Sequence, residues 1–170
     1  MSSKTAPTTI VVKRSGEKEY ARDDEIKERL DNLCALFPKL TNVDTQKVTD
    51  HVALHMQSGV TTRALDELAA RFCATSATIH PEYDQLAARI VVSDLHKSTN
   101  PSFVETTNLL DHTGALGKMD PRYVSYVNRN AAVLDQKVKE HAICDYGYDY
   151  FGLRTLIRGG YLLRSQGEVA

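Results

Sequence analysis

Up to Asn100 the chain alternates apolar stripes at helical intervals with short polar breaks that carry turn and capping chemistry. Ile10, Val11 and Val12 open with a β-branched run, Ser15-Gly16 supplies a turn, and Glu17 to Tyr20 returns as a second strand. This pattern predicts a small hairpin. Ile26, Leu30, Leu33 and Phe37 then recur at steps of four, three and four, so one helical face is apolar; Asp23 and Asp24 are the expected N-caps, and Pro38 ends the segment. A second helix is expected from Asp44 to about Gln57, with Val48, Val52, His55 and Met56 on one side and Gly59 as its stop. Thr61 and Thr62 offer capping oxygens to a third, whose stripe is Leu65, Leu68, Ala69 and Phe72. A fourth starts near Pro81 and buries Tyr83, Leu86, Ala87, Ile90 and Val91.

Beyond Asn100-Pro101 the texture changes. Phe103 to Leu110 predicts a short helix, Asp111 to Gly117 a polar loop, and Asp120-Pro121 the start of a helix running through Tyr123, Val127, Leu134 and Val138. The segment Asp145 to Gly152 packs aromatics between glycines and, with Tyr161, holds four of the eight tyrosines, so it needs a large surface to cover it. A leucine-rich piece, a Gly159-Gly160 break and Tyr161-Leu162-Leu163 follow. The expected organisation is a flexible leader over 1–9, a compact domain over 10–101, and over 102–170 the incomplete start of a further domain. The fold class is mainly α (α+β): a four-helix bundle capped by a small β-sheet, then a mostly helical segment.

Composition narrows the function. An apolar content of 42% and a charged content of 25% are those of an ordinary folded domain. A formal net charge of −1 provides no global field to gather a nucleic-acid backbone, so any anion site must be local. No apolar run reaches the ~20 residues that span a bilayer, and the first residues lack a secretory signal core. The expectation is a soluble, cytoplasmic protein. Cys34, Cys73 and Cys144 are widely spaced, which gives no support to a zinc site or a dithiol centre. Cys34 and Cys73 fall on apolar helical faces and read as small buried hydrophobes. His51 and His55 stand at i, i+4 without an evident third ligand. No nucleophile with a base, and no paired carboxylates, argue for a self-contained enzyme.

A nucleoside triphosphate site without a phosphate-binding P-loop needs clustered cations, an apolar slot for the base and an acceptor for the sugar. Lys13-Arg14-Ser15-Gly16 places two cations at a strand end, with Lys18 on the returning strand. Thr61-Thr62 opens a helix whose amides suit an anion, Asp66 lies one turn beyond Thr62, and Lys97 closes the fourth helix.

Taken in order, these residues resemble a known family. Val12-Lys13-Arg14-Ser-Gly16, then Gly59-Val60-Thr61-Thr62 with Leu65-Asp66, then His80-Pro81-x-Tyr83 before Leu86-Ala87-Ala88-Arg89-Ile90, and Ser93-x-Leu95-His96-Lys97 are similar to the ATP-cone at the front of class I ribonucleotide reductase large subunits, the eukaryotic-type branch most. The likeness continues through Ile143-Cys-Asp145 and Tyr150-Phe151-Gly152 to Tyr161-Leu162-Leu163.

The resemblance implies an allosteric module that binds ATP as activator or dATP as inhibitor, with Mg²⁺, and a catalytic barrel beyond this chain. It implies phosphate-side roles for Lys13 and Arg14, adenine-side positions for Glu19 and Ile26, and sugar and phosphate positions for Thr62, Asp66 and Lys97. Asp66 is the residue tied to telling dATP from ATP, and Asp24 matches a position implicated in cone-to-cone association. The implied partners are an adenine nucleotide, a small radical-generating subunit and further copies of the cone. Glu17, Lys18 and Tyr20 depart from a stretch where relatives carry arginine, and Leu156 to Tyr161 carries an extra residue and lacks the family's glutamate. Competing readings are a cone-bearing transcriptional repressor, which would need a zinc ribbon where this chain has no cysteine before Cys34, and a helical interaction domain without nucleotide affinity.

Overall fold

The computed structural model describes residues 9–114 and 117–162; most of the leader expected over 1–9, the middle of the loop near Gly117 and the end of the leucine-rich tail lie outside them. The chain divides into two compact units. The first runs to Val91 and takes in Asp149–Phe151; the second comprises Val92–Tyr148 and the chain from Gly152.

In the first unit β1 (Ile10–Val12) and β2 (Lys18–Tyr20) form the expected antiparallel hairpin, with Ile10 opposite Tyr20 and Val12 opposite Lys18. The turn is closed by Lys13 N–H donating to the Glu17 carbonyl at 2.8 Å and Gly16 N–H donating to the Lys13 carbonyl at 2.9 Å. Gly16 sits at φ +86°, a backbone state that side chains with a Cβ rarely adopt. A third strand, β3 (Val60–Thr61), pairs parallel to β1, giving the sheet order β2-β1-β3. The sequence predicts no strand here, only a capping oxygen at Thr61. Two residues are too few to show alternation, and the strand exists because β1 offers a free edge to it.

Helices α1 (Asp23–Ala35), α2 (Thr45–His55), α3 (Thr62–Ser76) and α4 (Glu82–Ser98) follow the predicted order. Asp23 and Asp24 are not the N-caps. Arg22 is the cap residue, extended and without a capping side-chain bond, and both aspartates lie in the first turn, where their charges face the helix's positive end. Asp44 caps α2 by accepting from Lys47 N–H, and Thr61 caps α3 by accepting from Ala64 N–H. Leu30, Leu33, Val48, Val52, Leu65, Ala69, Tyr83, Leu86, Ala87 and Ile90 are buried together with Val11 of the sheet. Each large aliphatic side chain so buried contributes about 1.5–3 kcal/mol. The buried stripe of α3 passes through Ala70 and Cys73, while Leu68 and Phe72 are only half-buried. The small residues carry the packed face because they admit close approach of neighbouring helices.

Polar contacts tie α4 to the chain before α2. Glu82 accepts from the backbone N–H groups of Thr41 (2.7 Å) and Asn42 (2.6 Å), which hold its carboxyl below the usual range. The Tyr83 hydroxyl accepts from Asp44 N–H at 3.1 Å. Arg89 is buried at 1% exposure and donates to the carbonyls of Leu33 (2.8 Å), Leu36 (3.2 Å) and Pro38 (2.5 Å). Arg89 thereby caps the C-terminus of α1, whose own last turn has no basic residue.

In the second unit α5 (Phe103–Thr113) is capped by Ser102 and closed by Gly114 at φ +65°. Asp120 caps α6 (Pro121–Arg129), with Pro121 in its first turn as expected. The long helix predicted from here is interrupted. Asn130 leaves helical geometry at φ −107°, ψ 19°, its backbone N–H donates to Tyr126 and Val127 carbonyls, and α7 (Ala131–His141) starts anew. Asparagine competes with the backbone for hydrogen bonds, which an apolar period does not reveal. Asp135 accepts from Ser102 Oγ at 2.9 Å, and Asn108 and Asn128 exchange amide bonds at 2.9 and 3.0 Å. A 3-10 turn (Ala142–Gly147) leads towards α8 (Tyr150–Arg158). In the aromatic segment Phe151 is 80% exposed and Tyr161 72%, whereas Tyr146 and Tyr150 are half-buried and Tyr146 meets His96 edge-on at 5.7 Å. No described helix is long and apolar enough to cross a membrane.

The cysteines give a direct check on this packing. Burial pushes the Cys34 thiol up to about 11 and that of Cys73 up to about 12, whereas Cys144 is exposed. Thiolate is the reactive form. Titration with a chromogenic disulfide near neutral pH is therefore expected to count one fast thiol per native chain, and three after denaturation; three fast thiols in the native state would contradict the core described.

Candidate functional site

The parallel pairing of β1 with β3 decides where the candidate residues go. Val11 lies opposite Val60 and Val12 opposite Thr61, while Gly59 N–H donates to the Ile10 carbonyl at 2.7 Å. Both strands run the same way, so the turn leaving β1 and the helix leaving β3 emerge at the same end of the sheet. That turn carries Lys13 and Arg14; that helix, α3, begins with Thr62 and carries Asp66 in its second turn.

Contacts follow from this placement. Arg14 NH2 stands 3.8 Å from Asp66 Oδ2. Lys13 Nζ meets Glu19 Oε2 across the hairpin at 2.7 Å, and the Glu19 carboxylate holds the Lys13 ammonium above its ordinary range. Thr62 is the first helical residue rather than the cap, which is Thr61. Ile26 is half-buried on α1, one turn before Arg29.

Arg29 was not singled out from the sequence. Its Nε donates to Asp66 Oδ1 at 3.0 Å and its NH2 to Oδ2 at 2.9 Å, a two-pronged bridge between helices α1 and α3. No sequence signal pairs two residues 37 positions apart. The Asp66 side chain is only 15% exposed, so this pair is less screened than a surface bridge.

The first unit thus brings together Lys13, Arg14, Glu19, Thr62, Asp66 and Arg29 at one end of the sheet, with Ile26 beside them on α1. Lys97 belongs to the second unit, exposed on the last turn of α4. Asp24 is exposed in the first turn of α1. Chemically the first-unit set joins three cations, two carboxylates, and a helix start whose first amides face the same end. It has the makings of an anion site with an acceptor for a neighbouring hydroxyl.

The paired histidines act differently. His51 stacks on Phe72 with ring centres 4.2 Å apart, and His55 Nδ1 lies 2.8 Å from the His51 carbonyl. Desolvation, and then the His55 charge, lower the His51 pKa. Among the described residues no group of three histidine, cysteine or carboxylate side chains is placed to hold a metal ion.

Residues 9–98 match the family model described as the ATP cone domain. Among curated proteins, the chain is 41% identical over 166 residues to the ribonucleoside-diphosphate reductase large chain 2 of Saccharomyces cerevisiae, covering 94% of this chain and 19% of that one. It is 39% identical over 168 residues to the reductase large subunit of Caenorhabditis elegans, covering 95% and 21%. With the Arabidopsis thaliana large subunit it shares 40% over 165 residues, covering 94% and 20%. The chain spans about a fifth of the length of the curated relatives it matches.

Proposed function

The chain belongs to the ATP-cone family, and on that footing we propose that it is the effector-sensing module of a ribonucleoside-diphosphate reductase large subunit, activated by ATP and inhibited by dATP. The observation that carries this reading is the parallel β1–β3 pairing, which sets Lys13 and Arg14 beside the start of α3 and leaves Asp66 within 3.8 Å of Arg14. In this reading the triphosphate lies along Lys13, Arg14 and the first amides of α3. Ile26 and Glu19 border the adenine. Asp66 accepts from a sugar hydroxyl near Thr62. Mg²⁺ arrives with the phosphate oxygens, as it keeps most of its own waters and asks for few protein ligands.

ATP and dATP differ by one ribose hydroxyl. Contacts that differ by about 1–2 kcal/mol separate their affinities by roughly five- to thirtyfold. Only such a difference can shift the balance between two shapes of the module. The module performs no nucleotide reduction itself; it acts in the cytoplasm on a catalytic domain and a small radical-generating subunit, and inhibition proceeds by association of cones through the face bearing Asp24.

Calorimetric titration of the 170-residue chain with ATP, dATP and GTP tests this. Saturable heats with both adenine nucleotides, at dissociation constants in the micromolar range or below (about −8 kcal/mol or stronger), and GTP weaker by at least about tenfold, are expected. Silence with all three would overturn the reading and leave a helical interaction domain.

A further inference from the structure

We propose that Arg29 is a specificity-determining positioning residue of this site: by gripping both carboxylate oxygens of Asp66, it sets the orientation in which Asp66 meets the sugar. The inference rests on the nucleotide-binding reading above and deepens it.

The carboxylate of Asp66 is shared unequally. Arg29 takes Oδ1 at 3.0 Å through Nε and Oδ2 at 2.9 Å through Nη2, whereas Arg14 Nη2 stands 3.8 Å from Oδ2. Two parallel N–H donors from one planar guanidinium fix the plane of a carboxylate as well as its position. A single longer contact fixes neither. The side chains of Arg29 and Asp66 are 25% and 15% exposed, so solvent does little to loosen the bridge.

The partners also come from different elements. Arg29 is on α1, Asp66 on α3, and Arg14 on the turn after β1. Arg14 has two anions to serve, the Asp66 carboxylate and the incoming phosphates. When phosphate draws Arg14 away, the bridge to Arg29 keeps Asp66 in place, with lone-pair directions left on its oxygens for a sugar hydroxyl. A site that accepts a hydrogen bond from a hydroxyl tells its presence from its absence only if the acceptor cannot swing away to another donor. Without Arg29, Asp66 turns to Arg14, and the acceptor for the hydroxyl and the cation for the phosphate are consumed together.

The test is calorimetry on the 170-residue chain and its variants R29Q and R29K, each titrated with ATP and dATP in the presence of Mg²⁺, alongside D66N and the double variant R29Q/D66N. Lysine keeps the charge but not the planar fork. The expected result is that R29Q and R29K each change the ratio of the two dissociation constants by about fivefold or more and still bind both nucleotides. In the D66N background R29Q adds no further change in that ratio, because Arg29 acts through Asp66. An R29K variant with the parent's ratio would overturn the positioning role, as would an equal effect of R29Q in the presence and absence of Asp66. A parent chain that binds neither nucleotide removes the underlying reading instead, so the two failures are distinct.

Discussion

Replacing Arg89 by alanine is expected to lower the melting temperature of the chain by roughly 10 °C or more. The guanidinium is fully enclosed and holds the Leu33, Leu36 and Pro38 carbonyls at the end of α1. A helix end leaves its last carbonyls without intrahelical donors, and in this helix no lysine or arginine of the last turn answers them. The neighbouring Cys34 carbonyl is answered by Leu40 N–H at 2.9 Å. Alanine would remove the donors and leave a void beside buried acceptors. Leaving enclosed carbonyls without a donor costs about 1–3 kcal/mol each, and for a chain of this size each kcal/mol moves the midpoint by roughly 2–4 °C. Arg89→Met separates volume from hydrogen bonding, because it fills much of the space and donates nothing. Calorimetric scans of both variants decide the matter: Arg89→Met melting within a degree or two of the parent would show that packing, not donation, is what Arg89 provides.

Arg14→Ala is expected to weaken adenine triphosphate binding by roughly ten- to hundredfold while leaving the melting temperature almost unchanged. Arg14 stands 3.8 Å from the Asp66 carboxylate, which Arg29 retains by its shorter double contact. The fold therefore loses little, and the loss falls on the phosphates. Lys13→Ala should cost less, because Lys13 is already engaged by Glu19 at 2.7 Å and releases its counter-ion when phosphate arrives. Affinities of the parent and both variants at two salt concentrations give the comparison. If Arg14→Ala binds ATP as tightly as the parent at low salt, the phosphates lie elsewhere.

The helices of the first unit were legible because their burial has the helical period. Ile26, Leu30 and Leu33 share one face of a helix, whereas in a strand Leu33, at an odd separation from the other two, would point to the opposite side. Asp44 and Thr61 announced their helices for the same local reason: a short oxygen side chain ahead of an apolar stripe satisfies an orphan amide. What stayed hidden depends on partners far along the chain. Val60-Thr61 carries no strand pattern of its own and becomes a strand only against the edge of β1. Arg29 carries no local signal of its own, and its role depends on α3 setting Asp66 against it. Nothing local marks Arg89 for burial, which three distant backbone carbonyls make possible. Asn130 broke a helix that the apolar period alone would have continued. Of the candidate site, residue types and order were visible in the sequence, and the family resemblance implied that Lys13 and Arg14 meet the Thr62–Asp66 turn; the grip of Arg29 on Asp66 was not visible.

The two-residue strand β3 also sets the order in which the molecule can become competent. While the chain is being synthesised, the β1–β2 hairpin has all its residues early, yet the edge that receives β3 stays open until α1, α2 and the Gly59 bend have left the ribosome. A nascent chain halted before Val60 would already have Lys13 against Glu19 and would still lack Asp66, the carboxylate near Arg14. The sheet is therefore completed in one late step, when a parallel pairing across two intervening helices closes.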